Sequence, residues 1–457
     1  MTALDAVFKA YDVRGTYPDQ IDAELCRRIG SAFARFVLDD AAAPDPDKHP
    51  PRVLVARDMR PSGIELAGAF AEGVQSQGVD VVDLGLASTD LLYFAAGSLD
   101  AAGAMFTASH NPAGYNGIKL CLSGARPVGQ DTGLARIKAM TEAGVAPAAT
   151  EPGTLSERNL LRDFAAHVHS FVDTSTLKPL KVVADTANGM GGLVVPAVFE
   201  GLPFELDVMY GELDGSFPNH PADPIQPENQ ADLRARVVEG GFDIGLAFDG
   251  DADRVFVVDE KGVGLSGSTT TALVAGVVLE REPGATILHN CICSKSVPEI
   301  VRERGGTPVR TKVGHSFIKA VMAETGAAFG GEHSAHYYFR NNYRADSGII
   351  AALHVLEEMS RTGRPLSQLR QPFERYVDSG EINTTVDDPL AVIERVAAAY
   401  PDADHDRLDG LTVDLGAWWF NLRPSNTEPL LRLNLEANTT EECESHTAAV
   451  LALISGS

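Results

Sequence analysis

The chain has 457 residues and a formal net charge of -25 at pH 7, with 44% hydrophobic and 22% charged residues. At about 150 residues per domain, this length predicts three or four domains. The negative charge argues against nucleic acid as a partner, because a polyanion binds to basic surfaces. No signal peptide is visible at the N-terminus, and no apolar run of about 18 residues indicates a membrane span.

The five cysteines are few and scattered. Cys291 and Cys293 form a Cys-x-Cys pair in an apolar stretch without a second such pair, so we expect buried thiols rather than a metal or redox site. Unpaired thiols are typical of a reducing compartment, which predicts a cytoplasmic protein.

Short β-branched runs alternate with longer amphipathic runs, which predicts an α/β fold. In chain order, we predict strands at 52–57, 79–85, 181–185, 243–248 and 255–258, and helices at 63–76, 269–281 and 347–360. The C-terminal part differs, with strands predicted at 380–386 and 411–415 and helices at 389–400 and 441–454, and it reads as a smaller α+β domain. Loops or linkers are predicted from composition at 41–51, 143–153, 260–268 and 363–372.

A loop rich in carboxylates follows the predicted strand 243–248. Asp249, Asp251 and Asp253 stand at positions i, i+2 and i+4, and a divalent cation would relieve their mutual repulsion. The spacers Gly250 and Ala252 let the backbone curl around an ion. The glutamate at the twelfth position of an EF-hand is missing, and three carboxylates leave coordination positions open for phosphate oxygens or water. The loop therefore predicts a Mg²⁺ site.

A candidate nucleophile lies in the segment 107–112, which reads Thr-Ala-Ser-His-Asn-Pro after a strand-like run. Ser109 stands at a strand-to-loop junction, and the neighbouring His110 could move its proton. The Gly-x-Ser-x-Gly elbow of a hydrolase is missing. Lys119 is a second candidate for acid–base chemistry or phosphate contact, so the general base stays open between His110 and Lys119.

Two further loops carry polar side chains suited to a phosphosugar. Residues 423–429 read Arg-Pro-Ser-Asn-Thr-Glu-Pro and combine a planar guanidinium with hydroxyl, amide and turn N–H donors, which suits a phosphate dianion. Residues 330–336 read Gly-Gly-Glu-His-Ser-Ala-His, in which Glu332 can accept from two sugar hydroxyls, while Ser334 and His336 offer further hydrogen bonds. Zinc is the alternative for this loop, but the helical His-Glu-x-x-His arrangement is missing.

These four elements, in this order, resemble the α-D-phosphohexomutase superfamily, and specifically its phosphomannomutase/phosphoglucomutase branch. The similarity extends to segments 9–15, 214–220 and 312–315, so it covers nearly the whole chain. It implies four domains around a central cleft: three similar α/β domains with mixed sheets plus a smaller C-terminal α+β domain. The corresponding boundaries are 1–150, 151–260, 261–370 and 371–457.

The resemblance also implies roles for single residues. The serine of the first loop is phosphorylated in that family, and Mg²⁺ binds beside it. The implied metal ligands are Ser109, Asp249, Asp251 and Asp253, and the implied catalytic residues are Ser109, His110, Lys119 and Arg254. Sugar hydroxyls would contact Glu332 and Ser334, and the non-reacting phosphate would contact Arg423, Ser425, Asn426 and Thr427. Further substrate-binding positions match Tyr11, Arg14, Lys295 and His315.

The implied activity is the interconversion of hexose 1-phosphate and hexose 6-phosphate, through a phosphoserine enzyme and a hexose 1,6-bisphosphate intermediate. The loop around Glu332 resembles the mannose/glucose branch, because phosphoglucosamine mutases usually have Gln and Gly where this chain has His333 and Ala335. Mannose is the expected sugar, and glucose is a second one because Glu332 could accept from an axial or an equatorial hydroxyl. The alternatives are a metal-dependent sugar phosphatase, a phosphoglucosamine mutase, and a non-catalytic sensor, which the intact Ser109 and aspartates disfavour. A monomer is expected, with a dimer as the alternative.

Overall fold

The computed structural model describes residues 3–40, 51–148, 151–424 and 430–456. By their contacts these residues form two compact units. The first unit runs to residue 265 and includes 336–367, and the second comprises 266–335 and 368 onward. Within these ranges, none of the helices has both the length and the hydropathy needed to cross a bilayer.

The first domain contains a seven-stranded mixed sheet. Its strands are β1 (Val13–Thr16), β2 (Arg52–Arg57), β3 (Asp80–Leu86), β4 (Ala102–Phe106), β5 (Tyr115–Leu122), β6 (Arg126–Pro127) and β7 (Leu155–Glu157). Its helices are α1 (Ala23–Asp40), α2 (Ser62–Gln75), α3 (Thr89–Ser98) and α4 (Leu134–Ala143). The order is β1-β5-β4-β2-β3-β7, with β6 beside β5. Strands β2, β3, β4 and β7 are parallel, whereas β5 is antiparallel to its three neighbours.

Alternation along β2 sends Val53 and Val55 into a core shared with α1, α2 and α4. Phe70 of α2 lies edge-on to Phe106 at the end of β4, with ring centroids 5.4 Å apart. On the other side, α3 contacts β2 and β4 and packs against α5 (Leu161–His169). The sheet is therefore covered by helices on both faces, as expected for parallel strands.

The second domain is built on a four-stranded sheet with the order β11-β10-β8-β9. Its elements are β8 (Lys181–Asp185), α6 (Gly191–Phe199), β9 (Glu205–Met209), α7 (Ala231–Gly240), β10 (Ile244–Phe248) and β11 (Val255–Asp259). Strands β10 and β11 pair antiparallel, from Ile244 opposite Asp259 to Phe248 opposite Val255. The carboxylate loop is thus the connection of a buried hairpin.

Residues 266–335 of the second unit form another parallel arrangement. The elements are α8 (Gly267–Arg281), β12 (Thr286–Asn290), α9 (Ser296–Glu303), β13 (Thr307–Thr311), α10 (His315–Thr325) and β14 (Phe329–Gly331). Strand β12 pairs in parallel with both β13 and β14. Residues 336–367, which belong to the first unit, contain β15 (Tyr337–Phe339) and α11 (Gly348–Thr362).

The C-terminal part of the second unit is an antiparallel sheet with the order β16-β20-β19-β18-β17. A short helix, α12 (Leu366–Leu369), precedes it. The remaining elements are β16 (Val377–Thr385), α13 (Pro389–Ala399), β17 (Asp404–Asp406), β18 (Leu411–Asp414), β19 (Trp419–Pro424), β20 (Leu430–Ala437) and α14 (Thr440–Ser455). Helices α13 and α14 pack on the sheet and close its own core.

Every predicted helix and strand is present, with its ends shifted by at most three residues. The first helix of the second unit begins two residues earlier than predicted, because Ser266 caps it by accepting from the backbone N–H of Thr269. The expectation of buried thiols is also confirmed, since all five cysteines are buried and none of them forms a disulfide. The predicted loop 41–51 lies, except for its last residue, outside the described residues, as do residues 149 and 150 of the predicted linker 143–153.

Candidate active site

The hydroxyl of Ser109 is held by two residues of the loop that connects β10 and β11 in the second domain. Ser109 lies in the loop after β4, is buried, and has a positive φ of 48°, an uncommon backbone conformation for a residue other than glycine. Its Oγ donates to Asp249 Oδ2 at 2.7 Å and accepts from Arg254 Nη2 at 3.3 Å. The serine oxygen therefore sits between a carboxylate and a guanidinium, where an incoming phosphoryl group would meet positive charge.

The carboxylate loop meets the serine loop at Gly250. A Cβ at this position would lie 2.4 Å from the carbonyl oxygen of Ser109, so only glycine fits. Asp249, Asp251 and Asp253 are all buried, and each offers an oxygen within 4.8 Å of the others. Burial, aided by Asp251 and Asp253, raises the pKa of Asp249 to about 7. Three carboxylates concentrated in this way need a positive partner.

The donor set fits a divalent cation. Asp251 Oδ1 and Asp253 Oδ1 are buried and have no hydrogen-bond partner among the described residues. Such atoms are rare in folded proteins unless an ion or a water meets them. Oxygen ligands from carboxylates are the ones that Mg²⁺ and Ca²⁺ prefer. The loop can therefore hold a hard cation directly beside the Ser109 hydroxyl.

Lys119 neutralises part of this acidic set. Its Nζ lies 2.7 Å from Asp251 Oδ2 and 2.7 Å from Asp253 Oδ2. These contacts use the Oδ2 atoms and not the Oδ1 atoms that lack a hydrogen-bond partner among the described residues. Although burial opposes the charged amine, Asp251 and Asp253 hold the pKa of Lys119 well above its ordinary value. The same contact lowers the pKa of Asp251 against the effect of burial. Lys119 is thus a fixed ammonium at neutral pH.

His110, in contrast to Lys119, is uncharged. Its Nδ1 lies 2.5 Å from Arg254 Nη2 and 3.3 Å from Ser109 Oγ. Burial, followed by the charges of Arg254 and Arg14, lowers its pKa well below the ordinary value. The ring is therefore neutral, and Nδ1 accepts from the guanidinium.

Arg14 at the second position of β1 also reaches the serine loop. Its Nη1 donates to Asn111 Oδ1 at 2.6 Å, and its Nη2 pairs with Asp12 Oδ2 at 2.5 Å. Tyr11 precedes β1 and is partly buried. Four sequence-predicted segments thus meet in the first unit, because the loop after β4, the middle of β5, β1 and the β10–β11 hairpin converge.

Arg60 is a residue that the sequence analysis missed. It is fully buried, pairs with Asp58 at 3.2 Å, and lies 5.1 Å from the ring centroid of Phe217. Its two terminal nitrogens donate to four carbonyl oxygens of the serine loop and the start of β5, those of Ser109, Asn111, Pro112 and Tyr115. Arg60 therefore fixes the backbone that presents the nucleophile. The available sequence signal was an arginine in a polar run directly after a predicted strand.

Asp253 also belongs to a second group of possible metal ligands, together with His336 and Asp346. His336 Nδ1 lies 2.8 Å from Asp346 Oδ2 and 3.8 Å from Asp253 Oδ1. Although burial opposes its charged form, Asp253 and Asp346 raise the pKa of His336. The sequence analysis considered His336 only as a sugar contact or zinc ligand, and in the structure it borders the carboxylate loop.

In the second unit, Glu332 is buried and engaged by its surroundings. Its Oε1 accepts from the backbone N–H of Gly314 at 2.9 Å and from Asn290 Nδ2 at 3.2 Å. His315 begins α10 directly after this contact, and Ser334 is partly buried. Glu332 and the segment that contains His315 thus lie next to each other.

Arg423 and Lys295 are each tied to an acidic partner. Arg423 is buried, and its Nη2 donates to Glu381 Oε2 at 2.9 Å. Lys295 Nζ donates to Asp414 Oδ1 at 2.6 Å and to the carbonyl of Gly416. Lys295 therefore links 266–335 to the C-terminal sheet in this structure. The predicted phosphate contacts Ser425, Asn426 and Thr427 lie outside the described residues.

The first unit thus defines a site for phosphoryl transfer: a buried serine hydroxyl, a carboxylate set for a cation, and fixed positive side chains around them. Comparison with known proteins agrees. Four family models match in order: phosphoglucomutase/phosphomannomutase alpha/beta/alpha domain I at 5–146, domain II at 162–262, domain III at 266–376, and the C-terminal domain at 381–453.

Individual relatives cover almost the full chain. A phosphohexose mutase of Xanthomonas campestris is 42% identical over 433 residues, 94% of each protein. A phosphomannomutase of Escherichia coli K12 is 38% identical over 459 residues, 98% of each. A solved structure of a phosphoglucomutase/phosphomannomutase family protein from Burkholderia thailandensis superimposes with a TM-score of 0.88 at 32% identity, covering 100% of this chain and 98% of that one.

The chain therefore belongs to the phosphoglucomutase/phosphomannomutase family, with three α/β domains and a smaller C-terminal domain. Its activity is that of a phosphohexomutase.

Proposed function

We propose that this phosphohexomutase interconverts mannose 1-phosphate and mannose 6-phosphate, with glucose phosphates as a second substrate pair, and that Ser109 carries the transferred phosphoryl group. The observation that carries the proposal is the position of Ser109 Oγ, 2.7 Å from Asp249 Oδ2 and 3.3 Å from Arg254 Nη2. We also propose a cytoplasmic location, because none of the five cysteines forms a disulfide.

The cation in this proposal is Mg²⁺, held by Asp249, Asp251, Asp253 and Ser109. When bound, it would neutralise charge on the phosphoryl oxygens during transfer. The chain's own residues do the rest. Arg254 faces the serine oxygen and adds a second positive charge, while Arg60 fixes the loop so that little reorganisation is needed as transfer begins.

Proton transfer is divided between a neutral residue, His110, and a positively charged one, Lys119. The neutral His110 lies 3.3 Å from the serine oxygen and can accept a proton once Arg254 releases its Nδ1. Lys119 is a protonated ammonium paired with two carboxylates, so at rest it can donate a proton and cannot accept one. We therefore favour His110 over Lys119 as the general base and assign Lys119 to charge balance and proton donation.

The remaining assignments follow the predicted domains 1–150, 151–260, 261–370 and 371–457. In this division the first domain carries the reactive serine and the second carries the metal loop. We propose that Glu332 and Ser334 in the third bind sugar hydroxyls, and that the segment from Arg423 to Thr427 in the fourth binds the phosphate that is not transferred. A hexose 1,6-bisphosphate that turns around before the second transfer then accounts for exchange between both ends of the sugar.

The experiment is a set of parallel assays on mannose, glucose and glucosamine 1-phosphates with Mg²⁺ and a trace of glucose 1,6-bisphosphate. We expect conversion of the mannose and glucose substrates, with kcat/KM for glucosamine 1-phosphate at least about tenfold lower, a difference of about 1.4 kcal/mol in transition-state binding. Preferred turnover of glucosamine 1-phosphate would contradict the substrate assignment. Release of free phosphate at the rate of substrate loss would identify a phosphatase instead.

A further inference from the structure

The first unit contains a pocket that is separate from the site around Ser109, since none of the residues of that site lines it. It has a volume of about 650 Å³ and opens at the carboxyl ends of the parallel strands β2, β3 and β7. This volume is in the range of small-molecule sites, which are about 300–1,000 Å³.

The pocket stands at a position where open parallel sheets commonly bind ligands. The chain leaves β2 for α2, which packs with α1 on one face, and leaves β3 for α3, which packs with α5 on the other. Neighbouring strands whose connections go to opposite faces leave a crevice between their carboxyl ends. Arg57 is the last residue of β2, and Asp83 to Leu86 close β3 beside it. The serine loop follows β4, on the other side of β2.

Two arginines in this pocket have no side-chain partner. Arg57 and Arg158 line it, and neither makes a side-chain hydrogen bond or ion pair to any part of the chain that the structure describes. Nearby arginines behave differently, since Arg52 donates to the carbonyl of Leu99 and Arg60 is fully engaged. The planar guanidiniums of Arg57 and Arg158 match the oxygens of a carboxylate or a phosphate.

The rest of the lining adds an apolar wall and two acceptors. Its carboxylates are Asp83, which accepts from the backbone N–H of Gly85 at 2.8 Å, and the exposed Glu157. Carboxylates at strand ends can accept from ligand hydroxyls. The apolar wall consists of six leucines, Leu84, Leu86, Leu91, Leu160, Leu161 and Leu193.

We propose that this pocket, separate from the site around Ser109, binds a small organic anion that has an apolar body and hydroxyl groups. Its phosphate or carboxylate would lie between Arg57 and Arg158, its hydroxyls would face Asp83 and Glu157, and its apolar body would cover the leucines.

The test is isothermal titration of the full chain in excess mannose 6-phosphate, which keeps phosphate-bearing probes away from the substrate site. The probes are AMP for phosphate esters, 4-hydroxybenzoate for carboxylates, and inorganic phosphate for the anion alone. We expect AMP or 4-hydroxybenzoate to bind at least about tenfold more tightly than inorganic phosphate. The identity of the tighter probe then distinguishes the two sources of the anion.

The variants are Arg57→Gln and Arg158→Gln, with Arg162→Gln as the matched control, because Arg162 is exposed, lacks a partner within the described residues and does not line the pocket. We expect each pocket variant to weaken probe binding about tenfold or more and the control to leave it unchanged. Arg158 is exposed, so its replacement leaves the fold intact even if Arg57→Gln does not fold. Absence of binding by both organic probes, or equal binding by Arg158→Gln and the wild type, overturns the proposal.

Discussion

Ser109 donates its hydroxyl hydrogen to Asp249 across 2.7 Å, although 140 residues separate the two in sequence. The contact joins the loop of one domain to the hairpin of the next and places the Ser109 hydroxyl at the edge of a carboxylate set. The first three predictions concern residues of the first unit, and the fourth concerns the second unit.

The first prediction concerns Arg60, whose four carbonyl contacts fix the serine loop. Arg60→Lys keeps the charge but loses the planar fork, so we expect a loss of about 2–4 kcal/mol in the free energy of unfolding and a fall in kcat. Denaturant titration and initial rates check both. Arg52→Lys, which alters a single carbonyl contact, is the control and should lose less than about 1 kcal/mol. Equal effects of the two substitutions would contradict the role of Arg60.

The second prediction distinguishes the two possible metal sets that share Asp253. Asp251 and Asp253 each have a buried Oδ1 without a hydrogen-bond partner among the described residues, whereas Asp346 is held by an ion pair with His336 that a cation would have to replace. We expect Asp251→Asn to weaken Mg²⁺ binding about tenfold to a hundredfold, and Asp346→Asn to change it less than about threefold. Titration calorimetry with Mg²⁺ gives both values, and EDTA should abolish turnover. If Asp346→Asn weakened Mg²⁺ binding more than Asp251→Asn did, the cation would instead bind to Asp253, His336 and Asp346.

The third prediction is a pH dependence at Asp90, which lies at the start of α3. This fully buried carboxylate accepts from Ser88 and Ser347, and burial raises its pKa from 3.8 to about 7. Because the folded state holds this proton more tightly than the unfolded state, the stability of the folded state falls as pH rises towards 7. We therefore expect the free energy of unfolding of Asp90→Asn, taken relative to that of the wild type, to increase by about 1–3 kcal/mol when the pH is raised from about 5 to about 8.

Urea denaturation at the two pH values checks this expectation. Asp214→Asn is the control, because Asp214 is partly exposed and its pKa is lowered by the backbone N–H of Ser216, so it is ionised at both values. A stability difference between Asp90→Asn and wild type that does not change with pH would rule out a titrating Asp90.

The fourth prediction concerns Glu381, which pairs with Arg423 at 2.9 Å and with Arg432 at 3.1 Å. If Arg423 binds the phosphate that is not transferred, Glu381 orients it. We then expect Glu381→Gln to raise KM for mannose 1-phosphate about fivefold to twentyfold, with a smaller change in kcat. Glu394→Gln removes an exposed pair with Arg407 in the same domain and should leave KM unchanged. Equal KM values for both variants would contradict the positioning role.

Local patterns in the sequence were sufficient for the helices and strands that were predicted, although elements such as α1, β12 and β13 were not among them. The hydrophobic period and the turn residues identified β2, α2 and the β10–β11 hairpin closely, because these signals depend on neighbouring residues. The carboxylate loop was recognisable for the same reason, since Asp249, Asp251 and Asp253 lie within five positions of one another.

Charge states and long-range pairs could not be predicted in this way. Lys119 reads as a free acid–base candidate in sequence, yet in the structure it is a fixed ammonium, because its partners lie 132 and 134 residues further on. Arg60 looked like an ordinary loop residue, since its role depends on carbonyls about 50 residues away. Lys295 matched a substrate-binding position, but its ion pair with Asp414 requires the C-terminal sheet.

The central claim is that Ser109 carries the phosphoryl group, and mass spectrometry of the protein after mixing with glucose 1,6-bisphosphate and Mg²⁺ tests it most directly. We predict that the peptide containing Ser109 gains the mass of one phosphoryl group, that mannose 1-phosphate removes it at the rate of turnover, and that Ser109→Ala neither gains the mass nor turns over. Phosphorylation of a different residue, or full turnover by Ser109→Ala, would contradict the account.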